Sequence, residues 1–177
     1  MFSRWRTWKL SAPLLTLLLS AWLVLFYNGA VWSAVFAQPH DSALGGALFV
    51  ASFFVFLVAA LNLFLSLVQH RYVLKPVAIV LLLLASAVAY FMSTYGVVID
   101  KAMIQNVMET DSAEALDLMS VRFVAYFVGL GLLPALLIYR LPVRYRSGWA
   151  ALKGPALSAG VSLLVVLGVA GALYSDY

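Results

Sequence analysis

The chain has 177 residues, of which 65% are hydrophobic and only 10% charged, and its mean hydropathy is +1.02. That composition excludes a water-soluble globular domain and leaves a polytopic membrane protein. A net charge of +4 would suit nucleic acid if the basic residues formed one dense patch, but they are scattered through short segments between apolar runs, and with no cysteine there are neither disulfides nor thiolate metal sites.

Five apolar runs, at about residues 13–33, 44–68, 77–93, 123–139 and 156–174, are each expected to cross a bilayer, whose core of about 30 Å takes roughly 20 helical residues. The runs are continuous and do not alternate, which favours helices over a closed barrel. The expected fold is therefore an all-α membrane protein with five transmembrane helices and a short amphipathic helical segment between the third and fourth.

Residues 1–9 carry Arg4, Arg6 and Lys9 with the interfacial aromatics Trp5 and Trp8. The first apolar run after Pro13 is too long for a signal peptide and no clean cleavage site follows it, so it is read as a retained span. Asn28, near its far end, is expected to reach the head-group layer. A polar turn with Pro39, His40 and Asp41 follows, and His40 is read as a solvated loop residue. Gly45, Gly46 and Ala47 open the second span and would permit close helix contact. Asn62 is the strongly polar side chain inside that span, and an amide in lipid is expected to bond to another helix. A basic turn with His70, Arg71 and Lys75 leads to the third span. In the fourth, Pro134 is expected to kink the helix and Gly129 and Gly131 to let a neighbour approach. Arg144, Arg146 and Lys153 surround Trp149 before the fifth span, where Gly168 and Ala172 form a small-residue contact face.

Nine of the eleven basic residues (Arg4, Arg6, Lys9, Arg71, Lys75, Arg140, Arg144, Arg146 and Lys153) then fall on one side of the membrane, and only Lys101 and Arg122 on the other. All seven acids share the side of that pair. By the positive-inside rule the N-terminus is cytoplasmic and the C-terminus periplasmic, which puts residues 94–121 outside.

Those residues belong to the one long polar interval, residues 90–117, which holds five of the seven acids: Asp100, Glu109, Asp111, Glu114 and Asp117. Read as a helix, its second half places Asn106, Thr110, Glu114 and Asp117 within an arc of roughly 80°. An amide, a hydroxyl and two carboxylates would share one face beside an apolar stripe of Ile104, Val107, Met108, Ala115 and Leu118. A solvated surface helix joining two spans would show the same pattern. Asp111 and Glu114 also have the spacing of a capping pair, so one helix and two remain open. No span carries a charge at its centre, which counts against an ion-coupled transporter. The two histidines lie on opposite sides of the membrane, and neither a phosphate loop nor a serine elbow is present, so the chain holds no catalytic centre of its own.

The residues Tyr90-Phe91-Met92-Ser93-Thr94-Tyr95-Gly96, with Ile99-Asp100-Lys101, Met103-Ile104-Gln105-Asn106-Val107 and Glu109-Thr110-Asp111-Ser112-Ala113-Glu114, resemble the membrane domain of the lipid A phosphoethanolamine transferases. That family of bacterial inner-membrane enzymes includes the polymyxin (colistin) resistance enzymes. The resemblance takes in the five-span layout and the basic N-terminal segment, so it covers essentially the whole chain, with motif specificity confined to the polar interval. It implies a membrane anchor and lipid-substrate module whose catalytic domain, expected beyond Tyr177 and absent here, carries zinc and a threonine nucleophile. That domain would move phosphoethanolamine from phosphatidylethanolamine to a lipid A phosphate. The family positions lining the head-group pocket match Asn106, Thr110 and Glu114, and Tyr95 matches an aromatic nearby. Ser93 stands where the family often has Asp, which removes one charge from the rim. Two other classes compete with this reading: a small transporter or channel component, and a membrane assembly protein whose acidic loop serves a partner.

Overall fold

A computed structural model describes residues 9–39, 42–95, 120–145 and 150–175. Helices dominate because in hydrocarbon every backbone polar group must be satisfied within its own segment. Four are long and apolar enough to cross a membrane. These are α3 (Ala43–Leu67), α4 (Leu74–Tyr95), the rod formed by α5 (Val121–Tyr126) and α6 (Leu133–Arg140), and α7 (Ala150–Ser175). Large apolar side chains such as Phe64, Leu84, Val121 and Leu164 stand exposed on their outer faces, an arrangement suited to lipid and costly in water.

The first expected span is not one helix over residues 13–33. Helix α1 (Ala12–Tyr27) and helix α2 (Gly29–Phe36) meet at Asn28 with a bend of 71°. Asn28 leaves helical geometry at φ −114° and ψ 41°, and its Nδ2 turns back to donate to Leu23 O at 3.0 Å and Val24 O at 3.4 Å. The amide thus caps its own helix and does not serve the head-group layer, as competition between short polar side chains and the backbone allows. Trp32 Nε1 donates to Val24 O at 2.8 Å and holds the bend from the other side. At 1.5 Å per residue α1 is about 24 Å long, and the tilted α2 adds only about 4 Å along that axis.

The helices pack in the order α7, α3, α1, α4, α5/α6, with α1 also touching α7. Helix α1 is therefore central. It buries Leu15, Leu19, Leu23 and Tyr27 in a core shared with Leu74, Ala78 and Leu82 of α4 and Ala135 and Ile138 of α6. Between α3 and α7 the contact is polar: Asn62 Nδ2 donates to Ser158 Oγ at 3.0 Å and Ser162 Oγ at 2.8 Å. The inter-helix role expected of Asn62 is what the structure shows. Ser66 extends the seam to Ser158 at 2.9 Å, and Gln69 Nε2 carries it to Thr16 of α1 at 2.8 Å.

Small residues act in fewer places than their number suggests. A Cβ on Gly131 would stand 2.6 Å from Ser86 Oγ, so this glycine is what lets α4 and the α5/α6 rod touch. Gly129 and Gly168 would meet nothing within 4 Å, and Gly45 faces the Ser42 hydroxyl at 3.1 Å, the hydroxyl that caps α3. The contacts expected of these three are therefore not made.

The α5/α6 rod widens where a kink was expected. Phe127–Leu132 is π-helical, with the Leu133 N–H closing onto Val128 O, and Pro134 follows at once. Proline has no N–H, so Leu130 O loses its ordinary helical donor. The Tyr27 hydroxyl of α1 donates to that carbonyl instead.

At the opposite end of the rod, Lys75 Nζ donates to Tyr139 O at 2.9 Å and Leu141 O at 2.7 Å, a cation on the C-terminal carbonyls of α6. Nearby, two short strands pair in parallel, β1 (Leu10–Ser11) with β2 (Val143–Arg144). Six described basic residues (Lys9, Arg71, Lys75, Arg140, Arg144 and Lys153) lie at this end, and Arg122 alone lies at the other.

Candidate functional site

Of the four residues expected to bind the lipid head group, Asn106, Thr110 and Glu114 lie outside the described residues. So does the question of one helix or two between the third and fourth spans. Tyr95 is the last residue of α4. What the structure gives is the frame from which residues 96–119 depart and to which they return.

That frame is tightly built. The Tyr90 ring is 2% exposed and meets Phe91, Phe123 and Tyr126 edge-on, at centroid distances of 5.3, 5.1 and 5.8 Å. Phe123 in turn stacks on Phe127 at 5.9 Å. Edge-on aromatic contacts of this kind add about 0.5–1.5 kcal/mol each beyond their buried area. The Tyr90 hydroxyl lies 2.7 Å from Ser120 Oγ, which also accepts from Phe123 N at 3.2 Å as the N-cap of α5. A hydrogen bond therefore joins the last turns of α4 to the N-cap of α5. Ser93 bonds to Tyr90 O at 3.0 Å, so the serine at the expected Asp position is spent on its own helix. Thr94 Oγ1, one turn beyond Tyr90, is buried and has no partner among the described residues.

The last turns of α4 and Ser120, which flank residues 96–119, thus meet at one aromatic cluster, at the end of the bundle opposite the described basic residues of the other turns. The anchoring pair, Tyr90 and Ser120, was not singled out from the sequence. A signal was present: Phe123, Tyr126 and Phe127 follow Ser120 at helical spacing, and Tyr90 and Phe91 open the polar interval.

The chain matches the family model described as phosphoethanolamine transferase EptA/EptB over residues 57–177, well over half of its length. It belongs to that family. It is 40% identical over 144 residues to the phosphatidylethanolamine transferase Mcr-2 of Escherichia coli, covering 81% of this chain and 26% of that protein. It is 34% identical over 179 residues to phosphoethanolamine transferase EptA of Escherichia coli strain K12, covering 95% and 32%. Its fold matches the solved integral membrane lipooligosaccharide phosphoethanolamine transferase A (EptA) from Neisseria meningitidis with a TM-score of 0.86 at 29% identity, over 96% of this chain and 32% of that one. The chain spans about a quarter to a third of the length of these relatives.

Among the described residues no group of three or more metal-ligating side chains gathers.

Proposed function

We propose that the chain is the membrane anchor and lipid-substrate-binding domain of a bacterial inner-membrane transferase. The enzyme moves phosphoethanolamine from phosphatidylethanolamine to a lipid A phosphate, an outer-membrane modification that confers polymyxin resistance. Family membership over residues 57–177 carries this reading. The names of the relatives, a phosphatidylethanolamine transferase and a lipooligosaccharide phosphoethanolamine transferase, support donor and acceptor respectively. The basic end faces the cytoplasm and the Tyr90–Ser120 end faces the periplasm, in keeping with the charge asymmetry. Zinc and the nucleophile belong to a periplasmic domain following this one, so residues 1–177 alone transfer nothing. The family match does not favour the transporter and assembly-protein readings.

In this arrangement residues 96–119 hold the donor head group. The Glu114 carboxylate pairs with the ethanolammonium, the Asn106 amide and the Thr110 hydroxyl bond to phosphate or ester oxygens, and Tyr95 flanks them. The test is alanine substitution of Asn106, Thr110, Glu114 and Glu109 in the intact enzyme. Lipid A is then analysed by mass spectrometry, with protein abundance and zinc content measured alongside. Glu114→Ala should be most damaging, at roughly 10- to 150-fold, the equivalent of about 1.5–3 kcal/mol for a charge-assisted bond. Glu109 points about 60° from Asn106 on the other side of a helix and should matter less. Equal and small effects at Glu109 and Glu114 reject the head-group role.

A further inference from the structure

At the basic end, residues of α1, α3 and α7 line a crevice of about 1210 Å³. Its lining changes along its length. Toward the middle of the bundle it is apolar, with Phe54 and Val55 on α3 and Val161 and Val165 on α7. One or two turns on, the polar seam reaches it through Asn62, Ser66, Ser158 and Ser162, and at its mouth stand Arg71 and Arg144. A second cavity of about 550 Å³ adjoins it, sharing Arg71, Arg144 and Tyr145 and adding Lys9.

Three observations bear on what the crevice holds. The first is unmet hydrogen-bonding capacity. Asn62 and Gln69 both line it, are 4% and 8% exposed, and each keep one amide oxygen without a partner. The buried Tyr145 hydroxyl also lacks one. The partners of the Asn62 amide, Ser158 and Ser162, are hydroxyls that can donate or accept, so its open end can serve either role, whereas Thr16 donates to Pro13 O and Ser66 to Asn62 O, so Gln69 leaves an acceptor open. The second is charge. Lys9, Arg71 and Arg144 converge on the adjoining cavity, and the stretches that carry them, residues 1–11, 69–76 and 140–155, contain no acid. The third is length. From Phe54 to Arg71 the lining follows α3 and the turn after it for about 20 Å, close to the roughly 20–22 Å of one leaflet with its head groups.

We infer that this crevice is a binding site for one anionic glycerophospholipid of the leaflet at the basic end. The phosphate sits among Lys9, Arg71 and Arg144, the ester region lies against the Asn62 amide, and Gln69 Oε1 is open to a head-group hydroxyl. One acyl chain runs between Val55 and Val161. The site is at the opposite end of the bundle from residues 96–119, so it is separate from the donor site and does not rest on the proposed function or on which leaflet is cytoplasmic.

The experiment is native mass spectrometry of the purified, delipidated protein in detergent, titrated with phosphatidylglycerol and, separately, with phosphatidylcholine. The wild type should retain one phosphatidylglycerol in preference to phosphatidylcholine. At about fivefold per cation, Arg71→Gln with Arg144→Gln should weaken that retention roughly 30-fold. Both arginines are exposed, so the fold should persist. Val161 is 53% exposed on the open wall, and Val161→Trp blocks the crevice without touching charge or core. It should abolish the preferred site. Equal retention of the two lipids overturns the inference, as does a phosphatidylglycerol preference that survives both variants. Loss in the arginine variant but not in Val161→Trp also overturns it, because the anion would then be held on the surface and not in the crevice.

Discussion

Removing the Tyr27 hydroxyl tests whether a proline on one helix is answered by a side chain on another. In Tyr27→Phe the ring volume is kept, so no cavity opens, and what is lost is the donor to Leu130 O together with the hydroxyl's interaction with Trp22, which the comparison in a Pro134→Ala background cancels. Pro134 denies that carbonyl a helical N–H, and Tyr27 is 5% exposed, so water cannot replace the hydroxyl cheaply. A buried polar group left alone costs about 1–3 kcal/mol. Side-chain hydrogen bonds within membranes average about 0.6 and reach about 1.7 kcal/mol, because separated helices still find other partners. With the i→i+4 donor to Leu130 O removed by Pro134, the upper part of that range applies. About 1.5 kcal/mol is expected, or about 12-fold in the unfolding equilibrium. The decisive comparison is the same change in a Pro134→Ala background, where the restored N–H can close on Leu130 O. There it should cost less than about 0.5 kcal/mol, a coupling near 1 kcal/mol. Reversible unfolding in mixed detergent–SDS micelles, followed by circular dichroism, reads all four proteins. Equal costs in the two backgrounds, or a loss under about 0.3 kcal/mol in the wild type, would refute the compensation.

Three further outcomes follow from the contacts described. Gly131→Ala should destabilise the bundle by about 1–3 kcal/mol by driving a methyl into Ser86, and Ser86→Ala should recover part of that; Gly129→Ala, with open space around it, should be harmless in the same unfolding assay. Lys75→Met should cost about 1 kcal/mol by stripping the cation from the α6 carbonyls, again read by unfolding. Tyr90→Phe in the intact enzyme should lower phosphoethanolamine transfer about 2- to 12-fold at unchanged protein abundance, since the bond to Ser120 that closes the frame around residues 96–119 is lost; activity at the wild-type level would show that the aromatic packing alone holds the frame.

What could be read in advance follows from how far each signal reaches along the chain. Long apolar runs fix α3, α4, the α5/α6 rod and α7, because burying a backbone in lipid leaves few choices besides a helix. Charge placement fixes the basic end, since whole interhelical segments carry it. The break at Asn28 escaped the same logic: apolar residues continue on both sides, and a single amide bonding to Leu23 and Val24 outweighs them. Pro134 and its neighbouring glycines marked an irregular place in the fourth span but not its kind, because a widened turn and a kink use the same residues. Asn62 announced a partner without naming it. Ser158 and Ser162, one turn apart on α7, were equally visible, but nothing in the sequence places α7 beside α3. The head-group face at Asn106, Thr110 and Glu114 was legible as chemistry, and only the Tyr90–Ser120 frame around it is legible as structure.

The order of the helices sets a distance across one face of the bundle. Helix α7 stands at one edge of the row beside α3, whereas α4 and α5, the helices that flank residues 96–119, stand at the other. Because α1 touches α7 as well as α3, two to three interaxial steps of 8–10 Å, about 16–30 Å, lie between α7 and α4. The Ser175 end of α7 and the Tyr90–Ser120 contact therefore share a face of the bundle but not a neighbourhood, with α1 and α3 between them.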